Sequence, residues 1–153
     1  MKARPRYAER EIAKILSEKF SDVRMSPVER IPILGRTGPD ITINEAGLVI
    51  DVKSRLECPK SFFVKEPTCL GTYFSVPLHA MNFFYYEEGK FFSKLVDAYW
   101  KHMDQWTQEK MPNGITAVIL HRPRVAYLNS VIIFHRKDLR RFQQIWKQQP
   151  NKD

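Results

Sequence analysis

The alternation of apolar and polar residues predicts a β-hairpin between residues 38 and 55. Two runs rich in β-branched residues, Ile41 to Ile43 and Leu48 to Val52, are predicted as its strands, and the residues between them have turn chemistry. If the turn is centred on the middle of that connection, Asp40 and Asp51 lie directly opposite each other, with Cβ atoms about 5 Å apart. The pattern therefore predicts two facing carboxylates at the open end of the hairpin.

Lys53 is expected to project on the same side of this hairpin as Asp51, because alternate residues of a strand share a face. Two carboxylates this close repel each other unless a cation lies between them, and hard oxygen ligands suit magnesium or manganese. A lysine beside them can orient a water molecule in metal-assisted phosphodiester hydrolysis. The alternative is a hairpin whose strand ends carry solvated charges. A bulge at Gly47 would also shift the register by one residue and weaken the pairing of the two acids.

The residues from Tyr7 to Phe20 have the apolar spacing of an amphipathic helix. Glu9 falls on the apolar stripe of this helix, because it precedes Leu16 by two helical turns. A carboxylate on a core-facing stripe needs a partner, and a metal ion shared with the two aspartates of the hairpin would supply one. The alternative is that Glu9, in the first turn, only complements the helix dipole.

The remaining periodicity indicates an α/β fold, with a mixed β-sheet flanked by helices. Prolines and glycines break residues 56–90, which are predicted as an irregular insert with candidate short strands at Phe62 to Val64 and Tyr73 to Val76. The other predicted elements are a short strand from Val23, a helix over Phe92 to Lys110, strands over Ile115 to Leu120 and Val131 to Phe134, and a helix over Lys137 to Lys147.

Both later helices are predicted to bury an apolar stripe. In the longer helix the stripe comprises Phe92, Leu95, Val96, Tyr99, Met103 and Trp106. In the closing helix it comprises Leu139, Phe142, Ile145 and Trp146.

Length and composition narrow the class of protein. A chain of 153 residues with 43% hydrophobic residues suits one globular domain. The formal net charge of +8 favours a polyanionic partner, with nucleic acid first and a membrane surface second, the alternative being a basic protein without such a partner. Cys58 and Cys69 are too few for a zinc site or a disulfide framework, so free thiols and a cytoplasmic location are expected. No apolar run is long enough to cross a bilayer.

Three stretches of the first 55 residues together resemble the PD-(D/E)xK nuclease superfamily, and within it the archaeal-type Holliday-junction resolvases and their phage relatives. These stretches are Arg6 to Ile12, Gly38-Pro39-Asp40 and Asp51-Val52-Lys53-Ser54-Arg55. The second motif acid is aspartate where these resolvases more often have glutamate, and the segment after Arg55 does not match the archaeal pattern.

The resemblance implies a restriction-endonuclease-like core and one nuclease domain over residues 1–153. It implies that Glu9, Asp40 and Asp51 bind Mg²⁺, with Mn²⁺ able to substitute, that the carbonyl of Val52 adds a ligand, and that Lys53 assists the attacking water. The expected activity is cleavage of four-way junctions or other branched DNA by a homodimer, leaving 5′-phosphate and 3′-hydroxyl ends, in the cytoplasm of the cell or of a phage host.

The residues predicted to contact DNA are basic or hydroxyl side chains near these motifs: Arg6, Arg10, Arg24, Ser26, Arg30, Arg36, Ser54, Arg55 and Lys60. Among them Ser26 is the candidate for a hydroxyl residue that the family uses before its Pro-Asp motif. The alternatives are another nuclease of the superfamily, restriction-like or recombination-associated, and a non-catalytic DNA-binding module on that fold. A basic structural protein whose acids are incidental is a third alternative.

Overall fold

A computed structural model describes residues 6–26, 38–80 and 85–147. These residues form an α/β fold with a mixed eight-stranded sheet flanked by helices, which confirms the predicted class. The helices are α1 (Tyr7–Ser17), α2 (Lys94–Lys110) and α3 (Leu139–Lys147). The strands are β1 (Val23–Met25), β2 (Ile41–Ile43), β3 (Leu48–Ser54), β4 (Thr68–Leu70), β5 (Tyr73–Pro77), β6 (Glu87–Gly89), β7 (Ile115–His121) and β8 (Val131–His135).

The strands follow the order β1-β2-β3-β7-β8-β5-β4-β6 across the sheet. Neighbouring strands are antiparallel, except for the parallel pairs β3–β7 and β4–β6. The β3–β7 pair runs from Leu48 opposite Ile115 to Ser54 opposite His121. Helix α2 precedes β7 and packs on both strands of this pair. The end of β3 is therefore enclosed between a central strand and a helix.

Helices cover both faces of the sheet. Side chains of α1 and α3, such as Leu16 and Phe142, form one hydrophobic cluster with Ile119 of β7. Trp100 of α2 belongs to a second cluster that contains Val118, the preceding residue of the same strand. Strand β7 is therefore buried along its whole length, which explains its mainly apolar sequence.

The hairpin of β2 and β3 has the predicted register, with Ile41 opposite Ile50 and Ile43 opposite Leu48. Its connection is a short 3₁₀ turn that ends at Gly47, whose φ of 68° lies in the left-handed region. This glycine completes the turn without shifting the register. Continuing the same register by one residue places Asp40 opposite Asp51, as the sequence predicts.

The segment 56–90, predicted as an irregular insert, instead contributes β4, β5 and β6 to the sheet. The candidate strand at Phe62 to Val64 is wrong, because Lys60–Phe62 forms a 3₁₀ turn that buries the Phe62 side chain. Strands β4 and β6 have only three residues each, too few to show an alternating pattern. The candidate strand at Tyr73 to Val76 is confirmed as β5.

Helix α2 begins later than predicted, and its predicted inward stripe is confirmed only in part, with Val96 and Met103 buried. Ser93 caps it by accepting a hydrogen bond from the backbone N–H of Val96 at 3.3 Å. Phe92 precedes the helix and is 49% exposed, whereas Trp100 and Thr107 are buried. Trp100 can be buried because its indole N–H donates to the carbonyl of Thr116 at 2.9 Å.

Helix α1 ends at Ser17, earlier than predicted, although Phe20 is still buried. The inward stripe of α3 is confirmed, and both cysteines are buried with free thiols. Over the described ranges, the helices are all too short or too polar to span a lipid bilayer.

Candidate functional site

Asp40 and Asp51 are held at the open end of the β2–β3 hairpin. The Asp40 backbone N–H donates to the carbonyl of Ile50 at 2.9 Å, and its Oδ2 accepts from the backbone N–H of Val52 at 2.8 Å. Both carboxyl groups are buried, with residue exposures of 7% and 8%. The hairpin backbone therefore fixes two acids side by side in a site largely shielded from water.

Glu9 reaches the same site from the first turn of α1. Its side chain is 14% exposed, and its carboxyl group lies within hydrogen-bonding reach of Asp40. Arg6 donates from Nε to Glu9 Oε1 at 3.2 Å and from Nη2 to the carbonyl of Ser26 at 2.6 Å. Glu9 therefore has the partners that a carboxylate on an inward helix face requires.

The three carboxyl groups meet in pairs, with Asp40 as the common neighbour of Glu9 and Asp51. Burial raises the pKa of Asp51 to about 7, with Lys53 opposing and Asp40 reinforcing this shift. Burial, reinforced by Asp40, also raises the pKa of Glu9, while Arg6 opposes it. Both shifts have the physical cause expected for acids that share a poorly hydrated site.

Lys53 extends along the same side of β3 as Asp51. Its Nζ lies 3.5 Å from Asp51 Oδ2 and 5.0 Å from the centroid of the Tyr99 ring on α2. The Tyr99 hydroxyl donates to Glu57 Oε2 at 3.1 Å. Tyr99 is a site residue that the sequence analysis missed, since it assigned this side chain to the core stripe.

Ser54 points to the opposite face of β3 and contacts His121, a second residue that the sequence analysis missed. The Ser54 hydroxyl lies 2.7 Å from His121 Nδ1, while His121 Nε2 lies 2.8 Å from the carbonyl of Val125. A carbonyl only accepts, so Nε2 carries the proton and Nδ1 accepts from Ser54. The hydroxyl hydrogen of Ser54 is therefore already engaged and does not face a phosphate in this arrangement.

The other residues predicted to contact DNA are spread over the surface around the site. Arg10, Arg55 and Lys60 are exposed, and Ser26 is half-buried next to Asp40, whose carbonyl accepts from the Ser26 backbone N–H at 3.0 Å. Arg24 is exposed and donates to Asp22 at 2.8 Å. Arg30 and Arg36 lie outside the described residues.

The donor set fits a hard divalent cation. Carboxylate oxygens are the ligands that Mg²⁺ and Mn²⁺ prefer, and a cation would relieve the repulsion among the acids around Asp40. In the part of the chain that the structure describes, no three His, Cys, Asp or Glu side chains already surround a single point as metal ligands would. Glu9 and Asp51 are instead paired with Arg6 and Lys53, and Asp40 accepts from the backbone N–H of Val52.

Comparison with known proteins assigns this chain to no family. No protein-family model matches the chain, and no curated protein or solved structure matches it significantly. The nuclease resemblance therefore depends on the motif residues themselves and on the way the fold assembles them.

Proposed function

We propose that this protein is a metal-dependent DNA endonuclease of the PD-(D/E)xK type with a restriction-endonuclease-like core. The observation that carries the proposal is the clustering of Glu9, Asp40, Asp51 and Lys53, from a helix and a hairpin, through pairwise contacts around the two buried aspartates. These are the four residues of the acidic and lysine motifs. Their side chains come together although Glu9 and Asp51 lie far apart in the chain.

Each of these residues has a defined part in the proposed reaction. Glu9, Asp40 and Asp51, with the Val52 carbonyl, would hold Mg²⁺, which supplies Lewis-acid polarisation of the phosphate and an acidified water. Lys53 orients the attacking water and stabilises negative charge that develops on the phosphate. The water oxygen bonds to phosphorus, the bond from phosphorus to the 3′ oxygen breaks, and that oxygen takes a proton. The products carry a 5′-phosphate and a 3′-hydroxyl.

The proposed substrate is branched DNA, with a four-way junction as the first candidate. The net charge of +8 favours attraction to the phosphate backbone, and phosphate contacts position a protein without reading sequence. A four-way junction has two-fold symmetry, so two symmetric cuts call for two active sites. A homodimer would supply them.

Cleavage assays with defined substrates test this proposal. Purified protein is incubated with a four-way junction, a flap and a linear duplex, each with Mg²⁺, Mn²⁺ or Ca²⁺. We expect cleavage of branched DNA with Mg²⁺ or Mn²⁺, and its loss in Asp40→Asn, Asp51→Asn and Lys53→Ala while DNA binding is retained. Glu18→Gln changes an exposed acid just beyond the C-terminal end of α1; it serves as the matched control and should cleave normally. Cleavage that persists in both aspartate variants would refute the site.

The second candidate function is a non-catalytic DNA-binding module on the same fold. The observation that favours it is that Arg6 already pairs with Glu9 and Lys53 already pairs with Asp51, so the buried acids are partly compensated within the fold. DNA binding in Ca²⁺ without cleavage in Mg²⁺ or Mn²⁺, on any of the three substrates, would select this candidate.

A further inference from the structure

A cavity of about 450 Å³ lies beside the carboxylates. It is lined by Arg24 and Met25 of β1, the following Ser26, Gly38, Pro39, Thr42 of β2 and Trp106 of α2. A volume of this size is within the range of pockets that bind small organic groups. Beside the apolar Met25 and Pro39, the lining contains an aromatic residue and two hydroxyl residues, unlike the purely apolar lining of a packing defect.

The strand register places this cavity next to Asp40. Arg24 pairs with Thr42, so Ser26 lies opposite Asp40 on the neighbouring strand. The backbone N–H of Ser26 donates to the backbone carbonyl of Asp40. Thr42 and Asp40 share a face of the sheet because they are two residues apart, a distance of about 7 Å along a strand. Asp51 lies on this face too, opposite Asp40. A group held in the cavity would therefore lie no further than the length of one nucleotide from a phosphate bound at the carboxylates.

Trp106 supplies an aromatic wall for the cavity. It is half-buried, whereas Trp100 and Trp146 are only 5% and 1% exposed and belong to the core clusters. The indole lies against Gly38, where an added Cβ would come within 3.2 Å of Nε1 and 3.6 Å of Cε2. Glycine at this position lets the backbone approach the ring that closely, immediately before the Pro39-Asp40 motif.

From this juxtaposition we propose that the cavity receives an unpaired nucleobase of the DNA, held against Trp106 next to the phosphate to be cut. The inference rests on the proposed function and narrows its substrate class to DNA in which a base near the cleaved bond is free to leave the stack. A flat aromatic group with polar edges matches an indole wall and hydroxyl groups. A base in an intact duplex is stacked and paired, and extruding it costs a few kcal/mol, whereas a base in a splayed single strand is already unpaired.

The test measures binding without cleavage, so that it does not depend on catalysis. Splayed and four-way DNA are titrated in EDTA by fluorescence anisotropy, with a single abasic residue placed in turn at each position around the branch. We expect one position at which the missing base weakens binding by the wild-type protein, by about 5- to 150-fold. Trp106→Leu should weaken binding of intact DNA by a similar factor, whereas Trp106→Phe should retain most of the wild-type affinity. In Trp106→Leu, the abasic residue should add little further loss of affinity, because the base and the ring act through the same contact.

A second variant covers the case in which Trp106→Leu does not fold. Thr42→Phe fills the cavity from a half-buried strand position without removing a core side chain, and it should weaken binding of splayed DNA but not of linear duplex. The proposal is overturned if no abasic position changes the affinity of the wild-type protein by more than twofold. It is also overturned if the abasic residue lowers the affinity of Trp106→Leu by the same factor as that of the wild type.

The two proposals fail in distinguishable ways. An abasic effect in EDTA without Mg²⁺-dependent cleavage would keep the base-binding cavity and reject the nuclease. Cleavage of branched DNA without any abasic effect would keep the nuclease and reject the cavity. A protein that binds none of these DNAs at low salt would reject both.

Discussion

The ammonium group of Lys53 is held between the Asp51 carboxyl group and the face of Tyr99, at 3.5 Å from the carboxyl oxygen and 5.0 Å from the ring centroid. The aromatic ring comes from α2 and the lysine from β3, so packing of a helix on the sheet fixes the position of the charged group. Such an interaction is worth about 0.5–2 kcal/mol, depending on solvent exposure. Tyr99 is therefore a positioning residue for the proposed site.

Removing this ring should release Lys53. In Tyr99→Leu we expect the single-turnover rate of DNA cleavage to fall by about 2- to 30-fold, because the ammonium group loses its fixed position. Tyr99→Phe keeps the ring and loses only the hydrogen bond to the exposed Glu57, so its rate should stay close to that of the wild type.

A spectroscopic measurement checks the same contact without relying on cleavage. The Lys53 side-chain protons near the ring should show upfield-shifted NMR resonances in the wild type and in Tyr99→Phe, and ordinary shifts in Tyr99→Leu. Equal lysine shifts in all three proteins would show that the ring does not hold the ammonium group.

His121 should make the fold less stable in mild acid. Burial lowers the pKa of His121 below its usual value of about 6.5, so below that pH the unfolded chain binds a proton that the folded protein does not. Its contribution to the free energy of unfolding therefore decreases as the pH falls through 6.5. In His121→Gln, which keeps a donor for the Val125 carbonyl, the loss of stability between pH 7.5 and 5.5 should be smaller than in the wild type.

Urea unfolding of both proteins at the two pH values measures this difference. Groups that titrate in both proteins cancel in the comparison, which isolates the histidine. A loss of stability that is as steep in His121→Gln as in the wild type would contradict the prediction.

The core between the sheet and α3 should be sensitive to truncation. Phe142 is fully buried, and its ring stacks on Phe134 with centroids 3.9 Å apart. Phe142→Ala should lower the free energy of unfolding by about 3–5 kcal/mol, because it removes buried apolar surface and leaves a cavity. Gln144→Ala, an exposed position on the same helix, should change it by less than about 0.5 kcal/mol. Denaturant titration of the three proteins provides the measurement.

Gly47 should be required for its backbone conformation and not for space. An added Cβ would meet no atom within 4 Å, yet the φ of 68° is left-handed. Gly47→Ala should therefore destabilise the protein by about 1–2 kcal/mol, and Gly47→Asn by less, because asparagine enters this region more readily. Thermal unfolding of both variants compares them directly. A larger loss for asparagine than for alanine would show that side-chain volume, not φ, is limiting.

The facing of Asp40 and Asp51 could be predicted from sequence because it depends only on local features. Two β-branched runs and a four-residue connection determine the register, and helix periodicity places Glu9 on the inward face of α1. The structure brings these side chains together as that reasoning expected. Their catalytic role stays a prediction that the proposed assays address.

Tyr99 and His121 could not be found in the same way, because their contacts depend on long-range packing. His121 meets Ser54 only because β7 pairs in parallel with β3, and Tyr99 meets Lys53 only because α2 packs over that pair. The inward face of α2 was predicted only in part: Val96 and Met103 are buried as expected, but Trp100 and Thr107 were not assigned to it. Trp100 and Thr107 carry polar atoms, yet hydrogen bonds to Thr116 make both suitable for the interior.

The parallel pairing of β3 with β7 also constrains the order in which the chain acquires its structure. The β2–β3 hairpin can close soon after it is synthesised, but one edge of β3 stays unpaired until residues 115–121 arrive. Closing so long a loop costs conformational entropy before any contact compensates for it, so folding should be slow relative to helical proteins of this size. The aspartates and the lysine would reach their final surroundings only at that late step.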